Sequence, residues 1–172
     1  MEGDLQLHGE IGSGAVSKVY KGIYKGEDCA VKVLCALTKN LKQSLVKEYS
    51  LLKNLNHKNV VRVKAFIEEK DSLVLELCGI TESVIDVKDW SKSVEKDQLL
   101  DFRVIQQVQC GLSYLHDRNV IHCDLKSSNC LVTGRIDTPV VKVADFGIAY
   151  FQTLTHTETQ MSQECSGSID PT

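Results

Sequence analysis

The 172-residue sequence has no excess of basic charge: 20 Lys and Arg stand against 23 Asp and Glu, a formal net charge of −3. Such a balance gives no positive field for nucleic acid or acidic lipid, so any phosphate must be held by a local site. Long apolar runs are also missing. Nowhere do about 18 apolar residues follow one another, as a membrane helix requires. Glu2 and Asp4 occupy the start, where a targeting segment needs a basic stretch and then an apolar centre. No membrane segment is therefore expected. The seven cysteines (29, 35, 78, 110, 123, 130 and 165) are odd in number and form no C-x-x-C pair, which leaves neither a disulfide framework nor a zinc site. A reducing, cytoplasmic compartment is the expected home. What is present, 42% apolar and 25% charged residues, describes a globular chain long enough for one sizeable core.

From Leu5 to Tyr24 the pattern is strand, glycine turn, strand, with Gly12-Ser13-Gly14 between Leu5, Leu7 and Ile11 on one side and Val19 to Tyr24 on the other. A dinucleotide-binding glycine loop would open into a helix, and the β-rich Val16, Val19, Tyr20 and Ile23 argue against one. Asp28 to Leu34 alternates, placing Ala30, Lys32 and Leu34 on one face and Cys29, Val31 and Val33 on the other. From Thr38 to Asn56 a helix is expected, capped by Thr38 or Asn40, with Leu41, Leu45, Leu52 and Leu55 as its apolar stripe. Glu48 falls on that stripe. A carboxylate facing a core needs a cation, and Lys32 on the preceding strand is the natural partner.

Val61 to Ile67 and Leu73 to Leu77 read as two further antiparallel strands, ending near Cys78-Gly79, and Ile80 to Glu95 has mixed periodicity. Gln98 to His116 returns to helical spacing, with Phe102, Ile105, Val108, Leu112 and Leu115 at three- and four-residue steps, and Asn119 closes it. Leu131-Val132 and Val140 to Val143 then suggest a short hairpin. Beyond Tyr150 the chain is rich in Thr, Ser, Gln and Glu with few apolar anchors, so poor order is expected there.

Between the long helix and that hairpin lies His122-Cys123-Asp124-Leu125-Lys126-Ser127-Ser128-Asn129, and Asp145-Phe146-Gly147 follows the hairpin. These segments resemble the catalytic and magnesium loops of protein kinases, H-R-D-L-x-x-x-N and D-F-G, with Cys123 in place of the arginine. Cys29-Ala30-Val31-Lys32 is similar to the V-A-I-K strand of the same family. In the glycine turn the third glycine is replaced by Ser17, from which a stiffer loop is expected. The resemblance covers nearly the whole sequence and stops inside the activation segment, without an A-P-E triplet. Asp124-Leu125-Lys126 with Asn129 is similar to serine/threonine kinases, and the Gly22-Ile23-Tyr24 strand and Lys126 to Asn129 look like the tyrosine-kinase-like branch, receptor-like kinases included.

The resemblance implies an α+β, bilobal protein-kinase-like fold: a small antiparallel β-sheet lobe at 1–77, the start of a helical lobe at 78–148, and an incomplete activation segment at 149–172. It implies ATP and Mg²⁺ as cofactors and a protein substrate with a serine or threonine acceptor. Asp124 would be the base and Lys126 the phosphoryl contact, with Asn129 and Asp145 on magnesium. Ile11, Gly12, Ser13, Gly14, Val19, Ala30, Lys32, Glu48, Glu76, Cys78 and Leu131 would form the ATP site, with Leu75 behind the adenine. His122, Phe146, Leu52 and Val63 would form an apolar spine between the lobes. Cysteine at 123 cannot pair with an activation-loop phosphate as arginine does. The competing reading is a pseudokinase or nucleotide-binding interaction module, with the 172-residue chain itself expected to be catalytically incompetent.

Overall fold

A computed structural model describes residues 5–36, 38–79, 84–94, 98–135 and 138–152. The expectations for Ile80, for Glu95 and for the segment from 153 onward lie outside these residues. Strands β1 (Leu5–Ser13), β2 (Ser17–Tyr24), β3 (Glu27–Leu34), β4 (Val63–Ile67) and β5 (Ser72–Glu76) form one antiparallel sheet in the order β1-β2-β3-β5-β4. The turn after β1 leads into a strand and not a helix, as the β-branched residues there require. The two faces of β3 separate as alternation dictates. Cys29 and Val31 are buried with Val74 in a cluster on one side of the sheet, and Ala30 and Lys32 line a cleft on the other.

Helix α1 (Lys39–Leu52) packs its Leu45, Leu51 and Leu52 against that second side. Its cap is Thr38, whose Oγ1 accepts the Leu41 N–H at 3.4 Å. The helix stops four residues short of Asn56. The chain turns at Lys53, and the Leu55 N–H donates to the Leu52 carbonyl at 2.9 Å, which carries the Leu55 side chain into the core. Val61, expected within a strand, lies before β4; its N–H donates to the Val143 carbonyl at 2.9 Å.

The remaining elements are β6 (Ile85–Asp86), α2 (Val87–Ser93), α3 (Gln98–His116), β7 (Val120–Ile121), β8 (Cys130–Gly134), β9 (Pro139–Val143) and β10 (Tyr150–Phe151). Strands β6, β8 and β9 make a three-stranded sheet, and β7 pairs with β10. The mixed periodicity after residue 80 resolves into the short β6 and α2. Asp86 caps α2 by accepting the Asp89 N–H at 2.8 Å, and Trp90 is buried against β8 and β9. Together these elements form a sheet lobe followed by a second unit that carries the longest helix, the arrangement implied by the resemblance.

The inward face of α3 is the expected one towards its end, where Leu115 is buried and Val108 and Leu112 pack against the core, but not at its start: Phe102 and Ile105 are 56% and 62% exposed, and Val104 is buried instead. Two residues that look unfit for a core set the orientation. Gly111 lets the helix close on the preceding loop: a Cβ there would stand 2.6 Å from the Asn59 carbonyl oxygen. Gln107 is satisfied from three sides. Its Oε1 accepts from Asn59 Nδ2 at 3.1 Å and from the Val141 N–H at 3.0 Å, and its Nε2 donates to the Pro139 carbonyl at 3.0 Å. Near the helix end Tyr114 is stacked between His57, 4.7 Å from ring to ring, and the Arg118 guanidinium at 3.7 Å, and its hydroxyl accepts the Asn56 N–H at 2.8 Å. Asn119 then takes a left-handed conformation at φ 57°, which suits asparagine, and ends the turn.

Gly111→Ala should therefore destabilise the fold by about 1–3 kcal/mol, because an added methyl forces the helix off Asn59. Phe102→Gln on the outer face should change stability by less than about 0.5 kcal/mol. Urea denaturation compares the two, and equal costs would refute the assigned helix face.

Candidate active site

Lys32 projects from β3 into the cleft, where its Nζ stands 2.8 Å from Glu48 Oε2, 3.0 Å from Glu48 Oε1 and 3.1 Å from Asp145 Oδ1. The Glu48 side chain is 4% exposed and that of Lys32 14%. Burial alone would drive Lys32 towards its neutral form, but the two carboxylates outweigh it and hold its pKa above the ordinary lysine value. Burial likewise pushes Asp145 up, yet the Lys32 charge, with the Gly147 N–H, brings it below the usual aspartate value. Ser44 on α1 donates to the Gly147 carbonyl at 3.3 Å, a second tie between that helix and the Asp145 turn.

The second cluster is built around Asp124. Lys126 Nζ lies 2.8 Å from Asp124 Oδ2, a hydrogen bond that raises the Lys126 pKa. Asn129 Nδ2 donates to Asp124 Oδ2 and to the Asp124 carbonyl, both at 2.9 Å. His122 anchors the segment from below. Its Nδ1 accepts the Asp124 N–H at 3.2 Å, so Nε2 is the nitrogen that carries the proton and donates to the Ala144 carbonyl at 2.9 Å. Burial depresses the His122 pKa, in keeping with this neutral form. Its ring meets Phe146 edge-on at 4.8 Å, and Phe146, Leu52 and Val63 share one core cluster. Cys123 and Asp145 both have positive φ, 65° and 61°. Left-handed backbone at two non-glycine residues is strain concentrated in the loops that aim these side chains.

A cleft of about 470 Å³ collects the residues expected at a nucleotide site. Ile11, Gly12, Ser13, Gly14, Val19, Ala30, Glu76, Cys78 and Leu131 all line it. Lys32, Glu48, Asn129 and Asp145 close its deep end, beside Leu75. Asp124 lines an adjoining cavity of about 280 Å³ that shares Lys32, Glu48 and Asp145 with the first. Burial pushes the Cys78 thiol up to about 12, which makes it an apolar wall and not a nucleophile. Ser17 lines the same cleft and folds the turn inward, its carbonyl accepting the Gly14 N–H at 2.8 Å. Asp86 and Asp89 also reach the cleft, and Glu76 binds Lys142 at 2.9 Å. Sequence reasoning missed these three contributions. Only the D-x-x-D spacing of a helix start could have drawn attention to the aspartates.

The donors fit a hard divalent cation. The amide nitrogen of Asn129 is spent on Asp124, which leaves its oxygen for a metal, and Asp145 is 52% exposed at the cleft. Magnesium takes one or two protein oxygens and completes its shell with phosphate and water, so a dense acidic cluster is not required.

Residues 5–168 match the family model described as the protein kinase domain. The chain is 34% identical over 164 residues to a probable serine/threonine-protein kinase of Dictyostelium discoideum, covering 91% of this chain and 12% of that protein. It is 36% identical over 152 residues to the serine/threonine-protein kinase STY46 of Arabidopsis thaliana, covering 84% of this chain and 25% of the relative. Tyrosine-protein kinase abl-1 of Caenorhabditis elegans is 33% identical over 155 residues, covering 86% of this chain and 12% of its own length. The chain thus spans a quarter or less of the length of these curated relatives. No helix among the described residues is long and apolar enough to cross a membrane.

The charge trio has a defined pH window. The Asp145 contribution is complete above the ordinary aspartate value of 3.8 and is lost as pH falls through the lower value it holds in the fold. The Lys32 contribution is complete below 10.5 and is lost as pH rises through its higher folded value. Thermal denaturation across the acid range should show a shallower loss of stability for Asp145→Asn than for the native chain. Superimposable acid limbs would count against the Lys32 contact.

Proposed function

We propose that this chain, which belongs to the protein kinase family, uses Mg²⁺-ATP to phosphorylate serine or threonine hydroxyls of a protein substrate. The observation that carries the reading is the Lys32 ammonium held between Glu48 and Asp145 in a cleft that Asn129 also lines, with Asp124, bonded to both Asn129 and Lys126, in the adjoining cavity that shares Lys32, Glu48 and Asp145. A lysine fixed in this way presents a full positive charge where the α- and β-phosphates would lie. Ile11, Val19, Ala30 and Leu131 would enclose the adenine, the Glu76 carbonyl and Cys78 N–H would read its edge, and the Gly12-Ser13-Gly14 turn would cover the phosphates with backbone N–H groups.

Asn129 and Asp145 would hold the magnesium, which when bound neutralises charge on the β- and γ-phosphates. Asp124 accepts the proton of the acceptor hydroxyl as its oxygen bonds to the γ-phosphorus and the bond to the β-phosphate oxygen breaks, releasing ADP. Lys126, already seated 2.8 Å from Asp124, steadies the transferred group. Asn129 keeps the Asp124 carboxylate aimed by donating to Oδ2. The acceptor preference rests on Lys126, two residues after Asp124, and on two relatives named as serine/threonine-protein kinases, with one named as a tyrosine-protein kinase on the other side.

The expected outcome is saturable Mg²⁺-ATP binding by calorimetry that Lys32→Met weakens strongly. That substitution leaves Glu48 buried without its cation, at a cost on the order of 3–5 kcal/mol. With radiolabelled ATP and a mixed peptide library, label should appear on serine and threonine, and Asp124→Asn should lower the rate by about a hundredfold or more. Label confined to tyrosine would refute the acceptor assignment. Nucleotide binding with no transfer would favour the silent interaction module.

A further inference from the structure

The segment that leaves the five-stranded sheet is fastened to one hairpin, β8–β9, at Glu76 and again at Gly79. At its start, Lys142 of β9 reaches Glu76 with Nζ 2.9 Å from Oε1, and the same oxygen accepts the Arg62 N–H at 2.7 Å. The side chains are 13% and 24% exposed, so the pair is shielded from solvent far more than a surface salt bridge. Three residues on, the Gly79 carbonyl accepts from Thr133 Oγ1 at 3.2 Å. Lys142 is also the register partner of Leu131, which lines the cleft. One hairpin therefore carries an apolar wall residue of the cleft and both anchors of the segment from Glu76 to Gly79.

Resting on the nucleotide-binding reading above, we propose that Lys142 is a positioning residue for adenine recognition: its ion pair with Glu76 holds the linker backbone in register with Leu131, so that edge and face of the base are read together. Hydrogen bonds to a base edge depend steeply on distance and angle, and a linker released at Glu76 keeps its sequence but loses its aim. The phosphate end of the cleft is built from other residues, Lys32, Asn129 and Asp145. The two halves of the ligand should consequently respond differently to loss of the pair.

The experiment measures the affinity of the full chain for Mg²⁺-ATP and for Mg²⁺-tripolyphosphate, which has the phosphates without the base. Lys142→Met should lose about tenfold in ATP affinity while tripolyphosphate affinity moves by less than about twofold. Lys142→Arg should restore most of the loss. Glu76→Gln keeps an acceptor for the Arg62 N–H but not the charge; it should reproduce the Met phenotype, and it decides the matter if Lys142→Met does not fold. ATP and tripolyphosphate weakened in parallel, or ATP affinity unchanged, would overturn the positioning role and leave the pair purely structural. A native chain that does not prefer ATP to tripolyphosphate would overturn the nucleotide reading itself, and this inference with it, before any variant is compared.

Discussion

A lysine ammonium almost removed from water is costly unless it is paired, and Lys32 meets that demand with carboxylates from two different parts of the chain. Glu48 arrives on α1 and Asp145 on the turn that leaves β9, so the charge is satisfied only when sheet, helix and turn are all in place. Withdrawing either carboxylate leaves a buried charge with half its compensation. The position of α1 against the sheet is thus an electrostatic matter as much as one of leucine packing. The Ser44 contact to the Gly147 carbonyl and the Leu52, Val63 and Phe146 cluster act in the same direction, from the polar and the apolar side of one helix.

The Asp124 loop depends on a different economy, in which backbone groups replace missing secondary structure. His122 bonds the Asp124 N–H with one ring nitrogen and the Ala144 carbonyl with the other, while the Ala144 N–H donates to the Asn129 carbonyl at 2.8 Å. The bond between Ala144 and Asn129 continues the β8–β9 ladder one step beyond Cys130 and Val143, so the hairpin itself brings the two segments together. Cys123 occupies the strained position between the two functional neighbours. The geometry around His122 and Asp124 is complete with this smaller side chain in place of an arginine.

Lys32 and Glu48 were legible as partners because each obeys a local period: strand alternation sets the first, helical spacing the second, and burial of a lone carboxylate requires the pairing. Asp124, Asn129 and Asp145 were singled out through the resemblance of their two segments to the H-R-D-L-x-x-x-N and D-F-G motifs of protein kinases. The inner face at the start of α3 was not legible, although Val108, Leu112 and Leu115 keep their expected place. Phe102 and Ile105 satisfy a helical period as well as Val104 does, and the choice between faces is made by Gly111 and Gln107, whose value lies in what Asn59 and β9 place against them. The Asp86 cap was hidden in a segment too short to show periodicity. The Glu76 to Lys142 pair joins residues 66 positions apart, from one strand end to another strand's middle, and no local pattern encodes it.

The stack of His57, Tyr114 and Arg118 makes the segment between α1 and β4 a fixed point relative to α3. Asn59 is seated there too, with its Nδ2 on the Val141 carbonyl at 2.8 Å. One amide nitrogen thus joins this loop both to α3, through Gln107, and to β9, so the chain enters β4 from a point that side chains of the second unit hold in place.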